Sequence, residues 1–151
     1  MTAEWMTARG LRGAIGVAHS TGCRVAVEPA VRHPELVSGL VLIGPTSDPR
    51  ARPTPAFLAR AVAGTLFDGP THTLWSALDR RRAGLAVLRT EWREMLLHRI
   101  EDVLPRLAVP VRVVRGGNDL IVPPAWAERV AALAKAPSTT CLLYTSDAAD
   151  E

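Results

Sequence analysis

Apolar positions along this chain follow two patterns: short unbroken runs, and stretches where they recur every three or four residues. Ala14-Ile15-Gly16-Val17-Ala18 is a short run flanked by Gly13 and Ser20, with the length and borders of a buried strand. From Thr21 to His33 the pattern turns helical. Val25, Ala26, Val27, Ala30 and Val31 supply a broad apolar face, and His33-Pro34 stops it. Leu40-Val41-Leu42-Ile43 is a second buried strand, ended by Gly44-Pro45. Strand, helix and strand within about 30 residues make the βαβ unit of a parallel sheet. Ahead of it, Thr2 to Arg9 reads as the end of a helix closed by Gly10. Pro29 falls inside the predicted helix, where the lost hydrogen bond and ring clash cost about 3 kcal/mol or more, so it marks either a kink or an error in the sequence.

Residues 45–104 carry no strand pattern. Asp48-Pro49-Arg50-Ala51-Arg52-Pro53 reads as a loop, and Phe57 to Leu66 and Leu85 to Leu104 read as helices. In the second helix Leu85, Leu88, Trp92, Met95, Leu96, Ile100 and Val103 recur at helical spacing. Helices without strands, set between two strand patterns, suggest a lid or cap. Val109 to Arg115 is a third strand, ended by Gly116-Gly117. Pro123 or Pro124 then suits the first turn of a helix whose stripe is Trp126, Val130 and Leu133, with Pro137 past its end. Cys141-Leu142-Leu143-Tyr144-Thr145 has the pattern of a fourth strand.

Composition narrows the class. With 48% hydrophobic and 22% charged residues in 151, the chain suits a globular protein rather than a disordered one. Two cysteines make no disulfide scaffold, and no run nears the roughly 20 apolar residues of a membrane helix. Met1 to Arg12 lacks the basic flank and apolar core of a secretory signal, so a cytoplasmic protein with no membrane partner is expected. The net charge of +3 permits an acidic partner without demanding one, and no nucleic-acid partner is expected. Of the 18 basic residues only Lys135 is lysine; with the abundant alanine, this skew reads as GC-rich coding rather than chemistry.

The sharpest chemical signal is Gly16-Val17-Ala18-His19-Ser20-Thr21-Gly22, which puts a serine on the turn between a strand and a helix. That is the context of a nucleophile elbow. The turn must be tight enough to push the serine out over the sheet, and the small residues Ala18 and Gly22 on either side would avoid clashes. Thr21 at the helix start would offer its backbone N–H to an oxyanion, aided by the helix dipole. The competing reading of Ser20 is a helix N-cap.

His19-Ser20-Thr21-Gly22-Cys23 through Arg32-His33-Pro34-Glu35-Leu36-Val37, with Gly39-Leu40-Val41-Leu42-Ile43-Gly44-Pro45-Thr46, resembles the α/β-hydrolases. Leu104-Pro105, Val109-Pro110-Val111, Arg115-Gly116-Gly117-Asn118-Asp119 and Ile121-Val122-Pro123 resemble that family's seventh strand and the acid loop after it. The matching blocks are 13–46 and 104–135. The resemblance implies an α/β fold: a partial α/β-hydrolase parallel sheet of about three to four strands with a helical cap insertion. Residues 1–44 would be the first part of the core, 45–104 the cap and 105–140 the second part of the core. Ser20 would be the nucleophile and Asp119 the triad acid, which holds a histidine in the right tautomer. Asp48 is a competing acid, since some relatives carry it after the sixth strand. His19 matches the residue before the nucleophile and would, like Ala18 and Gly22, shape the elbow rather than act as base.

The family order is serine, acid, histidine, yet His19, His33, His72 and His98 all precede Asp119. The resemblance also implies earlier strands and a His-Gly oxyanion loop that have no counterpart before Thr2. The expectation is therefore a domain's C-terminal half, cut at both ends and inactive as it stands. Residues 141–151, Cys-Leu-Leu-Tyr-Thr-Ser-Asp-Ala-Ala-Asp-Glu, resemble the translation of a sequencing-library adapter. They are expected to be a non-native tail.

A serine at the elbow implies cleavage of an ester, lactone, thioester or activated carbon–carbon bond in a small-molecule substrate with an apolar acyl part. No cofactor is expected: no His/Cys/Asp cluster has metal-ligand spacing, and Gly13 and Gly16 form no dinucleotide fingerprint. The alternatives are a non-catalytic, hydrolase-like small-molecule binding protein, and an unrelated parallel α/β domain with a ligand at its strand ends. Of the remaining residues, Cys23 reads as a small buried hydrophobe, and His72 and His98 as cap surface. Arg80-Arg81-Arg82 is a solvated face or an anion site, and Trp75, Trp92 and Met95 are cap core or an acyl pocket.

Overall fold

The computed structural model describes residues 2–45, 48–49 and 70–141. Helix α1 (Thr2–Ala8) leads into strand β1 (Ala14–His19), helix α2 (Gly22–Arg32) and strand β2 (Val37–Ile43). Helix α3 (Pro70–Leu97), the single turn α4 (Ile100–Val103) and a 3₁₀ turn (Leu104–Arg106) follow. Strand β3 (Val111–Gly116), helix α5 (Pro124–Leu133) and strand β4 (Ser138–Cys141) complete the described elements.

The four strands form one sheet in the order β1-β2-β3-β4, and every neighbouring pair is parallel. Parallel neighbours cannot be joined by tight hairpins, and α2 and α5 provide the crossovers that bring the chain back. The register brings the carboxyl ends of the strands together: His19 lies opposite Ile43, Ile43 opposite Val114, and Gly116 opposite Cys141. This is the parallel α/β sheet that the strand and helix patterns predict.

Side chains alternate across each strand. Ala18, Leu40, Leu42, Val111 and Val113 are buried and belong to one apolar cluster with Cys23, Val27 and Ala30 of α2, with Ile100 and Leu104, and with Trp126 and Val130 of α5. The alternate residues of β1 fare differently: Ile15 and Val17 are 69% and 68% exposed. One face of the sheet thus builds the core while the other, at β1, stands open among the described residues.

The structure corrects several element readings. The predicted apolar face of α2 is too broad, because Val25 is exposed and the buried stripe runs through Cys23, Val27 and Ala30. Pro29 is buried within α2, and its carbonyl accepts the His33 N–H at 2.7 Å. The hydrogen bond that Pro29 cannot make would have gone to Val25, on the exposed side, where water can serve the carbonyl instead. The helix expected over Leu85 to Leu104 is not continuous. Gly84, at φ 81° and ψ 159°, breaks α3 just ahead of that stretch; within it the helix ends at Leu97, and Arg99, at φ −101° and ψ 85°, separates it from α4. Leu85 is 80% exposed, whereas Ile100 and Leu104, beyond the break at Arg99, are buried in the core. The fourth strand begins at Ser138, earlier than its apolar run. Leu142 onward and the helix expected over Phe57 to Leu66 lie outside the described residues.

Truncating Leu42, fully buried near the carboxyl end of β2, should cost about 2–5 kcal/mol as Leu42→Ala. Ile15→Thr on the open face should change stability by no more than about 0.5 kcal/mol. Urea denaturation of both variants, followed by tryptophan fluorescence, checks the contrast.

Candidate active site

Strand β1 ends at His19 and α2 begins at Gly22, so Ser20 and Thr21 must reverse the chain in two residues. Ser20 does so in the left-handed region, at φ 53°. For a residue with a Cβ this conformation costs roughly 1–2 kcal/mol, and it persists only where the surroundings over-determine it. Here they do. The Ser20 N–H donates to the carbonyl of Ile43 at 2.8 Å, and the Ser20 carbonyl accepts the Cys23 N–H at 3.1 Å. Beneath the turn the Cys23 thiol lies 3.3 Å from the Ala18 carbonyl and 3.6 Å from that of Ile43, binding helix to both strands. The N-cap position of α2 belongs to Thr21, with no side-chain capping bond; Ser20 is not the N-cap.

Of the residues expected to shape the elbow, Ala18 is buried against the core. Gly22 departs from expectation: a Cβ placed on it would meet nothing within 4 Å, so no clash demands glycine there. The tight approach lies instead at Gly16, where a Cβ would fall 2.8 Å from Leu40 Cδ2. His19, exposed, reaches toward the end of β2.

The second half of the site is the loop after β3. The Asp119 N–H donates to the Gly116 carbonyl at 3.2 Å. Asp119 Oδ1 accepts the N–H groups of Ile121 at 2.8 Å and Val122 at 2.9 Å. Its other oxygen, Oδ2, faces Gly44: a Cβ there would sit 3.2 Å from Oδ2 and 3.9 Å from His19 Nε2. Gly44 is itself left-handed, at φ 52°, and donates its N–H to the Val114 carbonyl at 2.8 Å. A side chain at Gly44 would be both strained and crowded against the carboxylate. The carboxyl end of β2 therefore joins the two halves, because Ile43 holds Ser20 and Gly44 borders Asp119.

Three contributors were not singled out from the sequence. Gly44 reads there as a strand terminator, although a glycine at the end of a buried strand also signals close approach. Arg115 is 7% exposed and gives its guanidinium to the carbonyls of Val122 at 2.7 Å, Gly117 at 3.1 Å and Asp119 at 3.0 Å. Its signal was the alternation of β3, which puts Arg115 on the buried face with Val111 and Val113. Trp126, expected only as apolar stripe, also donates its indole N–H to the Pro45 carbonyl at 2.9 Å. That bond pins the chain leaving β2 to α5.

Other candidates stand apart. Asp48 is partly buried in the loop after β2. His98 Nε2 lies 3.2 Å from Glu28 Oε1, which links the end of α3 to α2. Trp75 is 56% exposed, against the expectation that it packs in a cap core. Arg82 pairs with Asp79 at 3.6 Å on an exposed face. The side chains of His72, Trp92 and Met95 lie outside the described set. Among the described residues no group of three or more His, Cys, Asp or Glu could hold a metal ion, and no helix is long and apolar enough to cross a membrane.

Burial pushes the Cys23 thiol from 9.0 up to about 12, only partly opposed by its hydrogen bond to Ile43. Such a thiol stays protonated at neutral pH. Because the unfolded chain ionises Cys23 first, folding stability that is complete below pH 9 should fall as pH rises toward about 12. Urea denaturation at about pH 8 and about pH 10 should show this loss in the wild type and less of it in Cys23→Ala. At the elbow, Ser20→Gly should stabilise the fold by up to about 1 kcal/mol, since it relieves the left-handed strain at some entropic cost in the unfolded chain. The same denaturation assay checks it.

A family model described as "Alpha/beta hydrolase family" matches residues 3–149. No curated protein matches the chain. Similar solved structures include an N-formylmaleamic acid deformylase from Pseudomonas putida, with TM-score 0.66 and 18% identity over 92% of this chain and 62% of that one. A hydrolase from Oleispira antarctica gives TM-score 0.71 and 9% identity over 93% and 60%. E-2-(acetamidomethylene)succinate hydrolase gives 0.70 and 22% over 92% and 62%. The chain thus spans about three-fifths of the length of these structures, and at such identities the likeness is one of fold. With the family model running over nearly its whole length, 3–149, and a parallel α/β sheet of that fold, the chain belongs to the α/β hydrolase family.

Proposed function

We propose that this chain is the nucleophile-and-acid part of a serine-dependent hydrolase, with Ser20 as nucleophile and Asp119 as triad acid. The observation that carries the reading is the strained Ser20 turn, tied to Ile43, beside Gly44 and the open Oδ2 of Asp119. Strain of this kind is stored at sites where it presents a side chain. In the proposed reaction Ser20 Oγ attacks an acyl carbon as a histidine takes its proton. The Thr21 N–H, at the positive end of α2, stabilises the oxyanion of the tetrahedral intermediate. Collapse expels the leaving group with the histidine's proton, and water then releases the acyl group by the reverse sequence. Asp119 holds that histidine in place through Oδ2, since Oδ1 is occupied by two loop amides.

The base would come from polypeptide outside these 151 residues, because all four histidines precede Asp119. His19 remains an elbow-shaping residue: adjacent to Ser20 in the chain, its ring cannot readily be aimed at that hydroxyl. The segment 45–104, expected to be a helical cap, would set specificity for a small substrate with an apolar acyl part. The bond cleaved would be an ester, lactone, thioester or activated carbon–carbon bond.

A fluorophosphonate probe should label the full-length protein that contains this chain, and Ser20→Ala should abolish the labelling. Labelling that survives the substitution refutes Ser20 as nucleophile. Failure to label the wild type favours the hydrolase-like binding protein instead. The 151-residue chain itself should not hydrolyse a p-nitrophenyl ester above background.

A further inference from the structure

Arg115 presents a problem of cost. It lies on the buried face of β3 with Val111 and Val113, 7% exposed. Removing a guanidinium from water is expensive unless its donors are satisfied, and apolar residues in such a place often stabilise a fold as well or better. The donors are satisfied in an uncommon way. Nε, Nη1 and Nη2 go to the carbonyls of Val122, Gly117 and Asp119, with distances of 2.7, 3.1 and 3.0 Å. All three acceptors lie on the loop that carries Asp119.

The loop is gripped from two sides. Arg115 takes its carbonyls, while Asp119 Oδ1 takes the amides of Ile121 and Val122. Val122 is shared, since its carbonyl binds the guanidinium and its N–H binds the carboxylate. With Oδ1 and the backbone of Asp119 both fixed, the direction of Oδ2 toward Gly44 is set as well. Only a planar fork can meet three carbonyls that diverge along a loop; an ammonium is a compact point donor.

We propose that Arg115 is a positioning residue, which holds the 117–122 loop so that Oδ2 of Asp119 is presented beside Gly44. The proposal rests on the reading of Asp119 as the triad acid, and it acts entirely through that carboxylate.

The test uses the full-length protein containing this chain, with steady-state hydrolysis of a p-nitrophenyl ester and amide hydrogen exchange on Arg115→Met, Arg115→Lys and Asp119→Asn. Arg115→Met should lower kcat about 100-fold, the scale of a misplaced catalytic group, with KM within about twofold. Exchange at Ile121 and Val122 should accelerate while Val113, within β3, stays protected. Arg115→Lys, which keeps the charge and the fold, should recover only part of kcat. The proposal is overturned if exchange at Ile121 and Val122 is unchanged, or if Val113 loosens equally, which would mark a general structural role. It is also overturned if lysine restores the full rate, because charge alone would then suffice. If Asp119→Asn leaves kcat unchanged, the acid reading fails separately, and the exchange data still show whether Arg115 clamps the loop.

Discussion

The alignment of carboxyl ends in the parallel sheet is the constraint on which the site depends. Two backbone hydrogen bonds express it: Ser20 N–H to Ile43, and Gly44 N–H to Val114. They lock three consecutive strand ends at one level. His19 at the end of β1 and Asp119 in the loop after β3 then both border Gly44. A register slip of one residue would send every side chain of a strand to the opposite face. The buried alternation of Leu40 and Leu42 against Val111 and Val113 forbids it. The apolar core and the site are therefore fixed by the same pairing.

Around this alignment the chain tolerates local costs that are offset by nearby bonds. Ser20 and Gly44 both adopt left-handed backbone. The first is held by Ile43 and Cys23, and the second lacks a side chain where Asp119 needs room. Cys23 is chemically quiet because it is buried, and its role is to join α2 to the ends of β1 and β2. The buried guanidinium of Arg115 and the indole of Trp126 act alike, spending strong donors on the carbonyls of the loops that follow β3 and β2. Polar side chains of the core thus secure loop backbone where no regular hydrogen-bond ladder can reach.

The open side of β1 marks a second physical boundary. Parallel sheets are generally covered on both faces, yet Ile15 and Val17 stand exposed here. The chain also spans only about three-fifths of the structures it resembles. The apolar residues of that face were legible as a strand, but the run Ala14 to Ala18 could not say which of them this chain would bury.

The sequence by itself determined the strands, the crossover helices and the parallel arrangement, because unbroken apolar runs alternating with amphipathic segments of these lengths have few other ways to bury their surface. It also singled out Ser20 as a candidate, by its place on the turn after a strand, and Asp119 through the resemblance of its loop to a hydrolase acid loop. It misjudged α2's buried stripe, the continuity of the helix from Leu85 and the need for glycine at position 22. Those depend on the backbone break at Arg99, and on which side of a helix meets the sheet. Only the tertiary structure decided that Gly44 borders the Asp119 carboxylate, that Arg115 grips the 117–122 loop and that Trp126 ties α5 to Pro45. Each of these links residues that chain spacing does not bring together, or turns a side chain toward a particular carbonyl, and periodicity records only the face on which a residue lies.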